Sequence, residues 1–258
     1  MHYTYYGANS WLLELSGSRI LVDPWLVGSL IFANSPWLFK GDRAQPLDTL
    51  PDNIDLILLS QGLEDHAHRP TLEKLDKSIP VVASPSATKI VKSLGYTTVT
   101  SLAPGDTTTV GEALTIQALS GAPIGLQVEN GYLLTDSQTD YRVYYEPHGF
   151  PPSTLDQIES ANVVISPVVN LALPLAGPII KGHETAITLA KHLKPQLFLS
   201  TAAGGDVTYS GILDKLLSQE GSIEMFRDTL AQHNLAAQVV EPAVNQRYSA
   251  SPTPTAVS

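Results

Sequence analysis

The chain contains no cysteine. That excludes disulfides, a thiolate nucleophile and every cysteine-ligated zinc site, and leaves histidine and carboxylate side chains as the strong metal donors. Positive charge is scarce as well: 15 Lys and Arg stand against 25 Asp and Glu, a net charge of −10. A sequence-independent grip on phosphate backbones needs clustered cations, so nucleic acid is not expected as a partner. The N-terminus, M-H-Y-T-Y-Y-G, lacks the charged n-region and continuous apolar run of a signal peptide, which makes the cytoplasm the default location. No P-loop, dinucleotide glycine pattern or internal repeat is found. Ser160 to Ile180 carries no charge, but Pro167, Pro174 and Pro178 interrupt it. A lipid-exposed helix must satisfy its backbone internally, so this segment reads as a buried strand followed by a proline-rich loop, and no membrane partner is expected.

What is present is an ordinary globular composition. The 258 residues are 43% hydrophobic and 16% charged, enough for one sizeable core, and a single domain over residues 1–247 with a disordered tail at 248–258 is expected. Trp11 to Leu15 and Arg19 to Val22 flank Ser16-Gly17-Ser18, a sequence suited to a tight hairpin, and the second run ends in Asp23-Pro24. Gly28 to Leu50 shows no sustained period and scatters Phe32, Trp37 and Phe39, as does a lid over a pocket or a loop stapled to the core.

Ile54 to Pro70 reads I-D-L-I-L-L-S-Q-G-L-E-D-H-A-H-R-P. An apolar run ends at Ser60, and the next residues present Gln61, Glu64, Asp65, His66 and His68. A buried strand that delivers acids and imidazoles at its C-terminal end is a common foundation for a site. His68, next to Arg69, is also compatible with plain solvation. A helix begins at Pro70 with Leu72, Leu75 and Ile79 on one face, a strand spans Pro80 to Ala83, and a helix spans Pro85 to Leu94 and stops at Gly95.

The texture then turns to short β-branched and aromatic runs: Leu114 to Leu119, Gly125 to Glu129, Tyr132 to Thr135 and Tyr141 to Tyr145, with Asn130-Gly131 as the strongest hairpin signal. The last run ends in Glu146-Pro147-His148, again an acid and an imidazole at a strand's end. Ser153 to Ser160 suits a helix and Val163 to Val169 a buried strand. Gly182-His183-Glu184 opens a helix that Pro195 closes, Gln196 to Ser200 is a strand, Ile223 to Leu235 a helix and Gln238 to Val240 a last strand.

In this order the elements resemble the metallo-β-lactamase superfamily, and the hairpin W-L-L-E-L-S-G-S-R-I-L-V-D-P-W resembles most its lactonase-like branch of metal-dependent hydrolases. The resemblance implies an α+β fold, an αββα sandwich of two mixed β-sheets flanked by helices, with the site along one edge. The family motif is T-H-x-H-x-D-H, and Ser60 to His66 aligns with it. Asp65 and His66 are kept, whereas Gln61 and Leu63 replace the first two histidines. Glu146 matches the family's metal-bridging Asp, and Asp23 matches its first motif acid, which supports the site without ligating. The family's later histidines, expected near Ala118 to Pro123 and Leu199 to Ala202, have no counterpart.

The resemblance therefore implies zinc or another divalent metal, one ion, drawn from Asp65, His66 and Glu146 with His68, His148 or His183 as substitutes for the lost imidazoles. Asp65 is the expected catalytic residue, orienting or deprotonating a water, and Asp23, Gln61, Glu64 and His68 are expected to line or support the site. The expected partner is a small-molecule substrate or ligand, with homo-oligomers left open. Two functions follow: a metal-dependent hydrolase of a small ester, lactone or phosphoester, or a catalytically inactive member that binds a ligand or protein without metal.

Overall fold

Leu56–Leu59 is apolar at every position and buried on both faces, as a parallel strand inside a layered protein must be. Leu56 and Leu58 join a core between two sheets, while Ile57 and Leu59 join a second core under helices. The computed structural model describes residues 1–250 apart from 46, 48, 126, 175, 176, 203 and 205.

The sheet holding this strand has seven strands in the order Arg247–Ser249, His2–Gly7, Ser10–Leu15, Ser18–Val22, Leu56–Leu59, Val81–Ala83 and Val99–Ser101. It is antiparallel as far as Ser18–Val22 and parallel beyond. The second sheet, also seven-stranded, runs Gln238–Val240, Leu197–Leu199, Val163–Ile165, Tyr141–Tyr145, Gln127–Asp136, Leu114–Ile124 and Thr107–Val110. Its first four strands are parallel and the rest antiparallel.

Helices Arg69–Lys74 and Pro85–Ser93 cover the outer face of the first sheet through Leu72, Ala87 and Val91. Gly182–Leu193 and Ile223–Gln232 cover the second through Ala186, Leu189, Leu193, Phe226 and Leu230. This is the expected αββα sandwich. Among the described residues, no helix is long and apolar enough to cross a membrane.

Several expected elements differ. Asn130-Gly131 is not a turn but the middle of the continuous strand Gln127–Asp136. Asn130 is buried, its side-chain amide donating to the Leu102 carbonyl at 2.9 Å, and a Cβ on Gly131 would sit 3.1 Å from both Glu146 Cγ and the Tyr145 carbonyl oxygen. The glycine serves close approach, and the chain reverses instead around Gly125, at φ 61°. Ser153 to Ser160 forms only the 3-10 turn Leu155–Gln157, because its apolar residues Leu155 and Ile158 repeat at three and not over successive α-turns.

Val163–Ile165 ends before Pro167, and the expected proline-rich loop contains strands Asn170–Leu173 and Gly177–Lys181, which form a three-stranded sheet with Ser218–Glu220. The helix after His68 stops at Lys74, short of Ile79. The boundary expected after residue 247 falls inside a strand: Tyr248 pairs with Tyr3 and stacks on it at 5.6 Å, and Ala250 is buried. Residues 251–258 of the expected tail lie outside the described residues.

Candidate metal centre

Parallel strands of one sheet all end at the same edge, and at this edge the polar residues gather. Asp23 follows Ser18–Val22, Ser60 to His66 follow Leu56–Leu59, and Glu146 to His148 follow Tyr141–Tyr145. After Ser60 the chain coils into a turn in which the Leu63 carbonyl accepts the His66 amide at 3.0 Å and the Ala67 amide at 2.7 Å. Leu63 thus acts through its backbone, aiming Asp65 and His66 inward.

Three donor groups converge: ligand atoms of Asp65, His66 and His148 lie within 4.8 Å of one another. The rings of His66 and His148 are 4.9 Å apart at 38°. Among the described residues this is the one such group. Of the three imidazoles offered as substitutes, His148 joins and His68 and His183 do not; the His183 ring lies against Gly221 and its amide donates to Asn170 Oδ1 at 2.9 Å. Glu146 is also outside the group. Its carboxylate accepts the amides of Phe150 at 2.7 Å and His148 at 3.2 Å, so it shapes the loop that carries His148. Burial pushes the Glu146 carboxyl up to about 7 against the pull of those amides.

His66 is fully buried and held at both nitrogens. Nδ1 donates to Asp23 Oδ2 at 2.7 Å, and Nε2 lies 3.1 Å from Asp65 Oδ2 and 3.3 Å from the Asn9 amide nitrogen. Burial disfavours the charged ring, but the carboxylates of Asp65 and Asp23 outweigh it and raise the pKa to about 10. For Asp65, burial alone would raise the carboxyl, yet the positive His66 ring prevails and holds it below its ordinary value. His148 is held neutral, its pKa pushed down to about 3 by burial and by the nearby His66 charge.

Asp23 is completely buried at φ 41°, a left-handed conformation that Asp tolerates better than most residues and that still costs on the order of 1 kcal/mol. Its carboxylate is saturated with donors. Oδ1 accepts the Ser60 amide at 2.7 Å, and Oδ2 accepts the Ser60 hydroxyl at 2.5 Å, the Tyr145 hydroxyl at 2.6 Å and His66. A carboxylate that fixes one ring nitrogen of a histidine directs the other toward a metal.

The remaining expected residues are placed as follows. Gln61 is buried with its amide nitrogen 3.2 and 3.3 Å from the two His148 ring nitrogens, and its Oε1 has no partner. Glu64 accepts the Ala33 amide at 3.2 Å and holds the loop over this edge. His68 is not solvated: it is buried, with Nδ1 3.0 Å from the Thr71 hydroxyl and Nε2 3.2 Å from the Ser29 carbonyl, and burial lowers its pKa to about 4. Because the Ser29 carbonyl can only accept, the neutral ring carries its proton on Nε2, and Nδ1 accepts the Thr71 hydroxyl.

In the connection after residue 28, Phe32 and Phe39 pack against Trp25 and Leu30, while Trp37 is 64% exposed. Asn9, Ser60 and Tyr145 also bear on the site. Ser60 occupies a motif position and was findable there, whereas Asn9 and Tyr145 carry no sequence signal that separates them from ordinary strand and turn residues.

The donor set fits a divalent ion. One carboxylate and two imidazoles give the three protein ligands of an open site, and Asp65 Oδ1 is buried without a hydrogen-bond partner, which a buried carboxylate oxygen rarely is.

No curated protein sequence matches the chain. Solved structures of similar fold include a metallo hydrolase from the hyperthermophilic archaeon Ignicoccus hospitalis, with a TM-score of 0.65 at 16% identity over 96% of this chain and 98% of that one. An isothiocyanate hydrolase from Delia radicum gut bacteria has a TM-score of 0.68 at 16% identity over 96% and 99%. The metallo-beta-lactamase fold protein YhfI from Bacillus subtilis has a TM-score of 0.62 at 16% identity over 96% and 99%. Residues 2–202 match the family model described as the beta-lactamase superfamily domain, and the chain belongs to that superfamily, with the metallo-β-lactamase fold of its metal-dependent hydrolases.

Proposed function

We propose that the protein is a metal-dependent hydrolase that holds one divalent ion, zinc or a similar metal, with Asp65, His66 and His148, and acts on a small ester, lactone or phosphoester. The observation that carries this reading is the convergence of those three side chains, one of which, Asp65, has a buried oxygen without a partner. An ion bound there supplies Lewis acidity and lowers the pKa of a water toward about 7.

The protein's own groups do the rest. Asp23 keeps one His66 proton on Nδ1, so that Nε2 would be the donor toward an ion once binding released its own proton. His148 is neutral and has a lone pair to offer. Asp65 Oδ1, free of hydrogen bonds, orients a water or takes its proton. Gln61, beside His148, accepts from the substrate through Oε1, which no protein group occupies. A small substrate is proposed because the site sits at a sandwich edge and the chain's net charge of −10 offers no clustered cations for a polyanion.

A second reading, a metal-free binding protein, draws support from His66, whose two nitrogens both face carboxylates in a closed ion pair. The two readings separate in one experiment. The full chain, loaded with zinc, manganese or iron, is assayed against a nitrophenyl ester, a lactone and a phosphodiester, before and after chelation. Turnover that chelation abolishes and that Asp65→Asn lowers by at least about 100-fold supports the hydrolase; absence of turnover on all three with any of the metals favours the binding protein.

A further inference from the structure

The ligands come from both sides of the sandwich. Asp65 and His66 follow a strand of the first sheet, and His148 follows Tyr141–Tyr145 of the second. A three-ligand site built this way needs something to fix the distance between its halves, since the two halves share no element. Tyr145 lies three residues before His148, at the end of its strand, and its ring is fully buried between the sheets. Its hydroxyl crosses to the first sheet and donates to Asp23 Oδ2 at 2.6 Å, the same oxygen that accepts His66 Nδ1 at 2.7 Å. One carboxylate oxygen therefore joins a ligand of one sheet to the strand that delivers the ligand of the other.

We propose that Tyr145 is a positioning residue that sets the spacing of His66 and His148 through Asp23. This role rests on the metal reading above. The neighbouring Tyr144 shows the contrast: it is equally buried but faces the helices, and its hydroxyl has no partner. The two residues have the same chemistry, strand and depth, yet only the Tyr145 hydroxyl bonds to Asp23.

Tyr145→Phe and Tyr144→Phe in the full chain test the role. Cobalt(II) serves as the probe, because its visible absorption reports coordination and its affinity can be measured by competition with a chelating dye. The expected result is a loss of affinity of about 10- to 100-fold in Tyr145→Phe, with an altered cobalt spectrum at saturation, while Tyr144→Phe matches wild type in both. Circular dichroism establishes that both variants fold; should Tyr145→Phe not fold, Asp23→Asn, which keeps the volume at the other end of the bond, is expected to give the same loss. Unchanged affinity and spectrum in Tyr145→Phe would overturn the role, and so would equal losses in the two tyrosine variants, which would mark general packing. Failure of the wild-type protein to bind cobalt at all would overturn the metal reading and this role together, whereas normal wild-type binding with an unaffected Tyr145→Phe overturns the role alone.

Discussion

At the scale of single residues, the polar groups at this edge divide into those that are saturated and those left with an open bond. His68 is saturated. Its ring bridges Thr71 and Ser29 and thereby ties the start of the connection after residue 28 to the helix at Arg69–Lys74. Burial depresses its pKa to about 4 in the folded chain against 6.5 for an unperturbed histidine. The sign follows directly: on falling pH the unfolded chain takes up this proton first, so the contribution of His68 is complete above pH 6.5 and is lost as the pH falls toward 4.

The full effect is roughly 3 kcal/mol. Urea denaturation of wild type and His68→Gln at pH 7 and pH 5 checks it, and the variant is expected to lose less stability between the two. Tyr144 is the opposite case. Its buried hydroxyl has no partner, so Tyr144→Phe is expected to leave the thermal midpoint unchanged or raise it by a few degrees.

At the scale of elements, what the sequence made legible were the strands and helices whose own residues decide them. Leu56–Leu59 is a continuous apolar run buried on both faces, Tyr141–Tyr145 is aromatic and β-branched apart from Arg142 and buried from Val143 to Tyr145, and Pro85–Ser93 and Gly182–Leu193 carry their start and stop signals locally. Asn130-Gly131 misled because its hairpin signal is also local, while the reason for its presence is a neighbour distant in sequence. Asn130 reaches across to Leu102, and Gly131 leaves room for Glu146.

A substitution separates these roles. Gly131→Ala is expected to cost about 1–3 kcal/mol by overpacking and to weaken metal binding, since the displaced Glu146 holds the loop of His148. Gly125→Ala, at the observed turn with open space around it, is expected to cost about 1–2 kcal/mol through its positive φ alone and to leave metal binding unchanged. Denaturation curves together with metal titrations of the two variants check both.

At the scale of the whole molecule, two sheets with parallel halves bring their strand ends to one edge, and the site depends on both. The sequence put Asp65 and His66 together just after Leu56–Leu59 because motif and strand are contiguous. It put Glu146 ahead of the substitutes His68, His148 and His183, and which of these reaches the site depends on the loop after Tyr145 and on the docking of the helix Gly182–Leu193, both tertiary matters. His148 arrives, Glu146 turns to its own loop amides, and His183 packs on Gly221. The measurement that bears most directly on the account is the metal content of the full chain after loading and dialysis, for wild type, His66→Ala, His148→Ala and His183→Ala. The account predicts about one equivalent in wild type and in His183→Ala, and none in His66→Ala or His148→Ala; no metal in wild type, or a full equivalent retained by His148→Ala, would contradict it.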